Sequence, residues 1–192
     1  MATLVVVPLK RFDRAKARLS PALDAAARAD LAERLASGVV AAAASAAGAG
    51  RVLVVADDDS VVRWAASKGV RGVVVDGDLD AAAAAGLDDA RAAGAGRVLV
   101  AHGDLVHPEA LLPLIEADDA LIAPDRHLDG TNVLAVPSAA RFPFAYGPGS
   151  FQRHVGAAER IGIRLRVVLD SGVAVDVDTP DDLQLRPEVD RG

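Results

Sequence analysis

Short runs of β-branched residues, at 3–7, 51–55, 72–75 and 97–101, are separated by alanine-rich stretches with helical periodicity near 24–47, 59–68 and 80–93. This alternation narrows the fold more than any other feature. Several of the runs are continuously apolar, as in strands covered on both faces. A strand–helix–strand rhythm implies parallel pairing through right-handed crossovers. Gly48, Gly50, Gly69, Gly94 and Gly96 fall just past the helical stretches, where helices end. The second half loses the rhythm. Further runs at 120–123, 132–136, 164–169 and 173–177 surround helical segments near 108–116 and 150–161. The expectation is one α/β domain over residues 1–192, a three-layer, Rossmann-like arrangement with a mixed, mainly parallel sheet and an inserted lobe.

Composition removes whole classes of function. With 52% hydrophobic and 25% charged residues, a packed core is within reach and disorder is not expected. The net charge of −6 argues against a sequence-independent binder of nucleic acid or of anionic membranes. The chain has no cysteine, which removes disulfides, thiolate nucleophiles and Cys-based metal sites. Its start is apolar and then basic, the reverse of a signal peptide, and no apolar run reaches about 18 residues. A soluble cytoplasmic protein is the default expectation.

Ligands of open α/β sheets bind beyond the carboxyl ends of the strands, and three groups of residues fall there. The first strand is followed by Lys10, Arg11, Arg14, Lys16 and Arg18, five cations in nine residues, suited to gripping a triphosphate. This loop has no glycine, so it is neither a Walker loop nor a dinucleotide fingerprint. Asp104 follows the fourth strand, and Asp176 and Asp178 straddle Val177 in VAVDVDTP. Carboxylates two apart on a strand point to one side and can share a hard cation such as Mg2+. The third group is DRHLDGTN followed by YGPGSFQRH, where Gly147 and Gly149 permit close backbone approach and Ser150 is placed to cap a helix. A glycine-led helix start suits an anion, with Thr131 adding a hydroxyl. His102 and His107 lack a visible partner for metal binding, Trp64 reads as helix packing, and Asp57 to Asp59 read as a strand end and N-cap. DVDT is not the phosphatase signature that it resembles, because its threonine comes one place early and at the wrong end of the chain.

Together, VVPLKRFDRAKARLS, APDRHLDGTN, FAYGPGSFQRH and VDVDTPDDL resemble, in order from about Leu4 to Leu183, the CofC/FbiD guanylyltransferases of coenzyme F420 biosynthesis. The resemblance implies a nucleotidyltransferase fold related to glycosyltransferase A. It implies GMP transfer from GTP to phosphoenolpyruvate, giving enolpyruvyl-diphospho-guanosine and pyrophosphate, or to 2-phospho-L-lactate. On this resemblance Thr131, Gly147 and Ser150 contact the acid, Asp104, Asp176 and Asp178 bind magnesium, and Lys10, Lys16 and Arg18 hold the phosphates. Lys16 also stabilises the leaving charge. The family's ADLP is written GDLV here, the following segment is shortened to HPEAL, and its GLN loop is Asp78-Leu79-Asp80, which puts Asp80 beside the nucleotide. A homodimer and hand-over to the downstream F420 transferase are further expectations. Guanylyl or cytidylyl transfer in molybdenum-cofactor or isoprenoid synthesis would call for a glycine-rich first loop, which is missing. A non-catalytic GTP-binding regulatory domain is the non-enzyme alternative.

Overall fold

The computed structural model describes residues 2–169 and 171–185. Seven strands form one sheet in the order β3-β2-β1-β4-β6-β5-β7. These are β1 (Thr3–Leu9), β2 (Val52–Ala56), β3 (Arg71–Val74), β4 (Arg97–Ala101), β5 (Leu121–Pro124), β6 (Thr131–Pro137) and β7 (Arg166–Val167). Strands β1 to β4 pair in parallel, β6 runs against both β4 and β5, and β7 pairs in parallel with β5. The strands of the second half thus extend the same sheet rather than building the expected lobe.

Period-two alternation within buried strands sorts side chains to two faces. Val5 and Val7 of β1, with Val52, Val54 and Leu99, pack on one side against Val39, Val40 and Ala43 of α1 (Ala25–Ala47), Val61 and Ala65 of α2 (Asp59–Ser67), and Leu114 of α4 (Leu112–Glu116). Leu4 and Val6, with Leu53, Val55 and Val98, face Ala83 and Leu87 of α3 (Leu79–Ala92) and Phe151 and Ala158 of α5 (Ser150–Arg160). The result is the expected three layers. Buried Arg97 supports one end of this core by donating to the carbonyls of Leu114 (2.9 Å) and Ala117.

Helix boundaries follow capping chemistry. Asp24, Asp58 and Asp78 cap α1, α2 and α3, each accepting a main-chain N–H of the first turn. Residues 173–177 depart from expectation. Instead of a strand, Ser171–Ala174 form a short helix, α6, and the chain then makes a single antiparallel bridge from Asp176 to Leu105. With β6 already closing one side of β4, this segment crosses the strand ends and does not join the sheet. No helix among the described residues is long and apolar enough to cross a membrane.

Candidate active site

A cleft of about 730 Å3 opens at the carboxyl ends of β1, β2, β3 and β4, within the size range of small-molecule sites. Because β6 is antiparallel, its first residues, Thr131 and Asn132, arrive at this same end, where the Asn132 carbonyl accepts from the His102 N–H (2.9 Å). Among the residues lining the cleft are Lys10, Lys16, Arg18, Asp80, Asp104, Asp178 and Gly147, drawn from all three of the groups marked in the sequence.

Lys16 sits at the centre. It adopts a left-handed backbone (φ 56°) between two 3-10 turns, Phe12–Arg14 and Ala17–Leu19. Its side chain is 7% exposed, and its ammonium donates to Asp104 Oδ2 and to Asp178 Oδ1 (3.2 Å). Burial opposes the lysine charge, but the two aspartates outweigh it and hold the group above its usual range. Asp104 is held below the usual carboxylate range in the same way, Lys16 overcoming the effect of burial. Arg18 is mostly exposed, 3.9 Å from Asp178 Oδ2, and Lys10 is exposed at the rim.

The three aspartates divide. Asp178 turns to Lys16, its N–H accepted by Asp182 Oδ2 (2.9 Å), which also takes the Thr179 N–H (2.6 Å) and hydroxyl (2.8 Å). Asp104 and Asp176 instead come together with His102, one ligand atom of each lying within 4.8 Å of the others. Burial, and then Asp104 and Asp178, push the Asp176 carboxyl up to about 6. Asp104 Oδ1 and His102 Nε2 are buried without a hydrogen-bond partner. Orphaned buried acceptors of this kind are costly unless something fills them. Two carboxylates and an imidazole form a donor set that a divalent cation satisfies, so the residues fit a metal. The sequence reading set His102 aside, although its i, i+2 spacing to Asp104 matches that of Asp176 to Asp178.

The third group forms a buried polar knot under a tight loop. Gly149, in a left-handed conformation (φ 74°), is the N-cap of α5, which makes Ser150 the first helical residue and not the cap. Its N–H is engaged by the Gly147 carbonyl (3.0 Å), and the Phe151 N–H by the Asp129 carbonyl (3.0 Å). The Ser150 hydroxyl donates to Thr131 Oγ1 (3.3 Å), which lies 3.0 Å from His154 Nδ1. His154 Nε2 accepts from the Ala145 N–H (2.9 Å), so the ring proton is on Nδ1 and points to Thr131. Thr131, Ser150 and His154 are all buried, beneath the cleft and not lining it; of the three residues expected to contact the acid, Gly147 (φ 95°) alone faces it. Arg153 clamps the loop from outside, donating to the carbonyls of Ala145 (2.9 Å), Tyr146 (2.8 Å) and Pro148. Asp80, near the start of α3, accepts the Tyr146 N–H (2.6 Å) and ties the loop to the opposite wall. Arg153 and His154 thus brace the loop, a role that the motif YGPGSFQRH does not display.

Polar and aromatic residues around the cleft are engaged locally. The Asp57 carboxylate accepts the Arg11 N–H (2.8 Å), and His107 pairs with Glu109 (3.3 Å). Arg126 pairs with Asp182 (2.5 Å), leaving it no part in the cleft. Trp64 packs edge-on against Phe12 (5.1 Å between centroids) and donates to Glu33 (3.1 Å). Asp125 folds the β5–β6 turn, its carboxylate accepting the N–H groups of His127 (3.0 Å), Asp129 (3.0 Å) and Gly130 (2.8 Å).

Residues 3–185 match the family described as "Guanylyl transferase CofC like". The chain belongs to this family. It is 39% identical to a phosphoenolpyruvate guanylyltransferase of Rubrobacter xylanophilus over 95% of this chain and 92% of the relative. It is 32% identical to a 2-phospho-L-lactate guanylyltransferase of Methanothermobacter thermautotrophicus, over 95% and 83% respectively. Its fold is that of nucleotidyltransferases: a nucleotidyl transferase structure from Methanothermobacter thermautotrophicus superposes with a TM-score of 0.63 at 19% identity, covering 96% of each chain.

The departures from the family's usual motifs have local physical causes. Where the family writes ADLP, this CofC-like chain has Gly103, and a Cβ there would lie 2.3 Å from Leu9 Cδ2. The leucine fills the space that an alanine would take. The shortened HPEAL segment winds into a 3-10 turn at Pro108–Leu111 that leads directly into α4.

Proposed function

We propose that this chain transfers GMP from GTP to phosphoenolpyruvate, forming enolpyruvyl-diphospho-guanosine and pyrophosphate within coenzyme F420 biosynthesis. The observation that carries this reading is the meeting of Lys10, Lys16 and Arg18 with Asp104, Asp178 and the Gly147 loop in one cleft. The name of the Rubrobacter relative supports phosphoenolpyruvate as the acceptor.

Nucleotidyl transfer needs positioning and charge neutralisation more than covalent help. A phosphate oxygen of the acid attacks the α-phosphorus of GTP; that P–O bond forms as the bond to the bridging oxygen of the β-phosphate breaks, and pyrophosphate leaves. The acid's phosphate is already ionised at neutral pH, so no residue has to remove a proton. His154 is accordingly free to serve as a neutral, buried strut. Lys16, Lys10 and Arg18 hold the triphosphate, with Lys16 exchanging its aspartate partners for phosphate oxygens as charge develops on the leaving group. Asp104 and Asp176, with Asp178 beside them, would hold a divalent cation, magnesium by the family resemblance. When bound, such a cation would supply charge that neutralises the phosphate groups of the substrates. Gly147 lets the acid approach the main chain, and Thr131 and Ser150 support that wall from below. The diphospho product then passes to the downstream F420 transferase.

The second acceptor, 2-phospho-L-lactate, is favoured by the Methanothermobacter relative. Pyrophosphate release from GTP and magnesium, measured with each acid in turn, tests the proposal. Release with phosphoenolpyruvate at a higher kcat/KM than with 2-phospho-L-lactate is expected. Faster release with 2-phospho-L-lactate reverses the acceptor assignment, and GTP binding without release with any acid makes this a regulatory nucleotide-binding domain.

A further inference from the structure

His102 is not needed for the transfer as described above, yet its placement is specific. It stands just past the end of β4, its N–H fixed on the start of β6 through the Asn132 carbonyl (2.9 Å). The Tyr146 ring lies against it at 5.8 Å between centroids. Its Nε2 is buried and has no hydrogen-bond partner. Asp104 uses one oxygen for Lys16, and the other, Oδ1, is equally buried and unpartnered. Donor atoms of His102, Asp104 and Asp176 lie within 4.8 Å of one another, near enough for one ion to bridge all three.

We infer that His102 is a nitrogen ligand of the divalent cation, and that this chain therefore favours a first-row transition ion over magnesium. The inference rests on the reading that Asp104 and Asp176 hold a cation. Magnesium is a hard ion that takes oxygen donors in a near-ideal octahedron and dehydrates reluctantly. An imidazole in the donor set adds little to its binding. Transition dications accept nitrogen, with affinity rising from manganese through cobalt. Magnesium thus remains competent only as the more weakly held ion, and His102 sets the preference.

Mn2+ is the probe, added to the full-length protein without nucleotide. Electron spin-echo spectroscopy of bound Mn2+ should show coupling to 14N. His102→Ala should abolish that coupling, leave Mn2+ bound through the aspartates, and reduce the ratio of Mn2+ to Mg2+ affinity by about tenfold. His102→Gln, which keeps the bulk and offers only an amide, should likewise lack the coupling, and melting curves report that both variants are folded. Mn2+ that is lost in Asp104→Asn but shows no 14N coupling in the wild type overturns the role of His102 and leaves the aspartate site standing. So does an unchanged Mn2+ to Mg2+ ratio in His102→Ala. Failure to bind Mn2+, with or without GTP, overturns both readings together.

Discussion

Mild acid should loosen the protein through one buried imidazole. His154 is fully buried, and burial, followed by the charges of Arg153 and His102, pushes its pKa down to about 4. In the unfolded chain the same ring titrates near 6.5. The fold therefore holds the neutral form, so this contribution is complete above about pH 7 and is lost as pH falls through about 6.5 toward 4. The gap between about 6.5 and about 4 corresponds to about 3 kcal/mol, of which about 2 kcal/mol is gone by pH 5. That is a large share of a domain's usual stability of about 5–15 kcal/mol. Urea unfolding of wild type and His154→Gln at pH 7.5, 6 and 5 isolates the effect, because glutamine still accepts from the Ala145 N–H but does not titrate. The variant should be the less stable at pH 7.5, and its profile should be flatter by about 2 kcal/mol between pH 7.5 and 5. Parallel profiles for the two proteins would refute the reasoning, as would an NMR titration of the His154 ring with a midpoint near 6.5.

Four further outcomes are expected. Asp104→Ala, Asp176→Ala and Asp178→Ala should each reduce cation-dependent pyrophosphate release by about a hundredfold or more in folded protein, since the reaction is driven by charge neutralisation; near-normal rates in all three would remove the metal assignment. Lys16→Ala should raise the KM for GTP and reduce turnover while leaving acid binding intact, and unchanged GTP kinetics would make the basic loop a solvated turn. Gly147→Val, which puts a branched side chain at φ 95° on the cleft wall, should raise the KM for phosphoenolpyruvate far more than that for GTP. Arg153→Ala should do the same more weakly by freeing the carbonyls of Ala145, Tyr146 and Pro148, with partial rescue in Arg153→Lys; loss of GTP binding with acid binding kept would assign the loop to the nucleotide.

Most of the first half was legible because β1, β2 and β4 are covered on both faces, so hydrophobic pattern and tertiary role agree, whereas β3 is an exposed edge strand marked by its β-branched residues alone. Residues 173–177 carry the same apolar pattern for a different reason. Val173 is buried in the main core and Val177 against Leu19, Leu31 and Leu35, burial that period-two patterning does not distinguish from pairing within a sheet. The cleft was legible from the ends of β1 and β4, which lead to Lys16 and Asp104, while Asp178 joins them from a segment outside the sheet. Two of its properties were not. That Thr131 and Ser150 lie beneath the surface depends on α5 docking over β6, a long-range contact with no local signature. That Arg153 and His154 hold the loop depends on the carbonyl and the N–H of Ala145, eight and nine residues away, which side-chain motifs do not display.

The β5–β6 turn bears on how such a chain can diversify. Antiparallel neighbours are joined by residues 125–130 alone, and one carboxylate, Asp125, organises that link from within. The parallel half of the sheet has no such freedom, because each of its crossovers carries a helix that also builds the core. A turn that folds on its own account, leads straight into Thr131 and touches α5 through Asp129 and Phe151 behaves as an exchangeable cassette. On the proposed function, acceptor preference would drift by rewriting a few residues there, while the side proposed for the triphosphate stays fixed by the architecture around it.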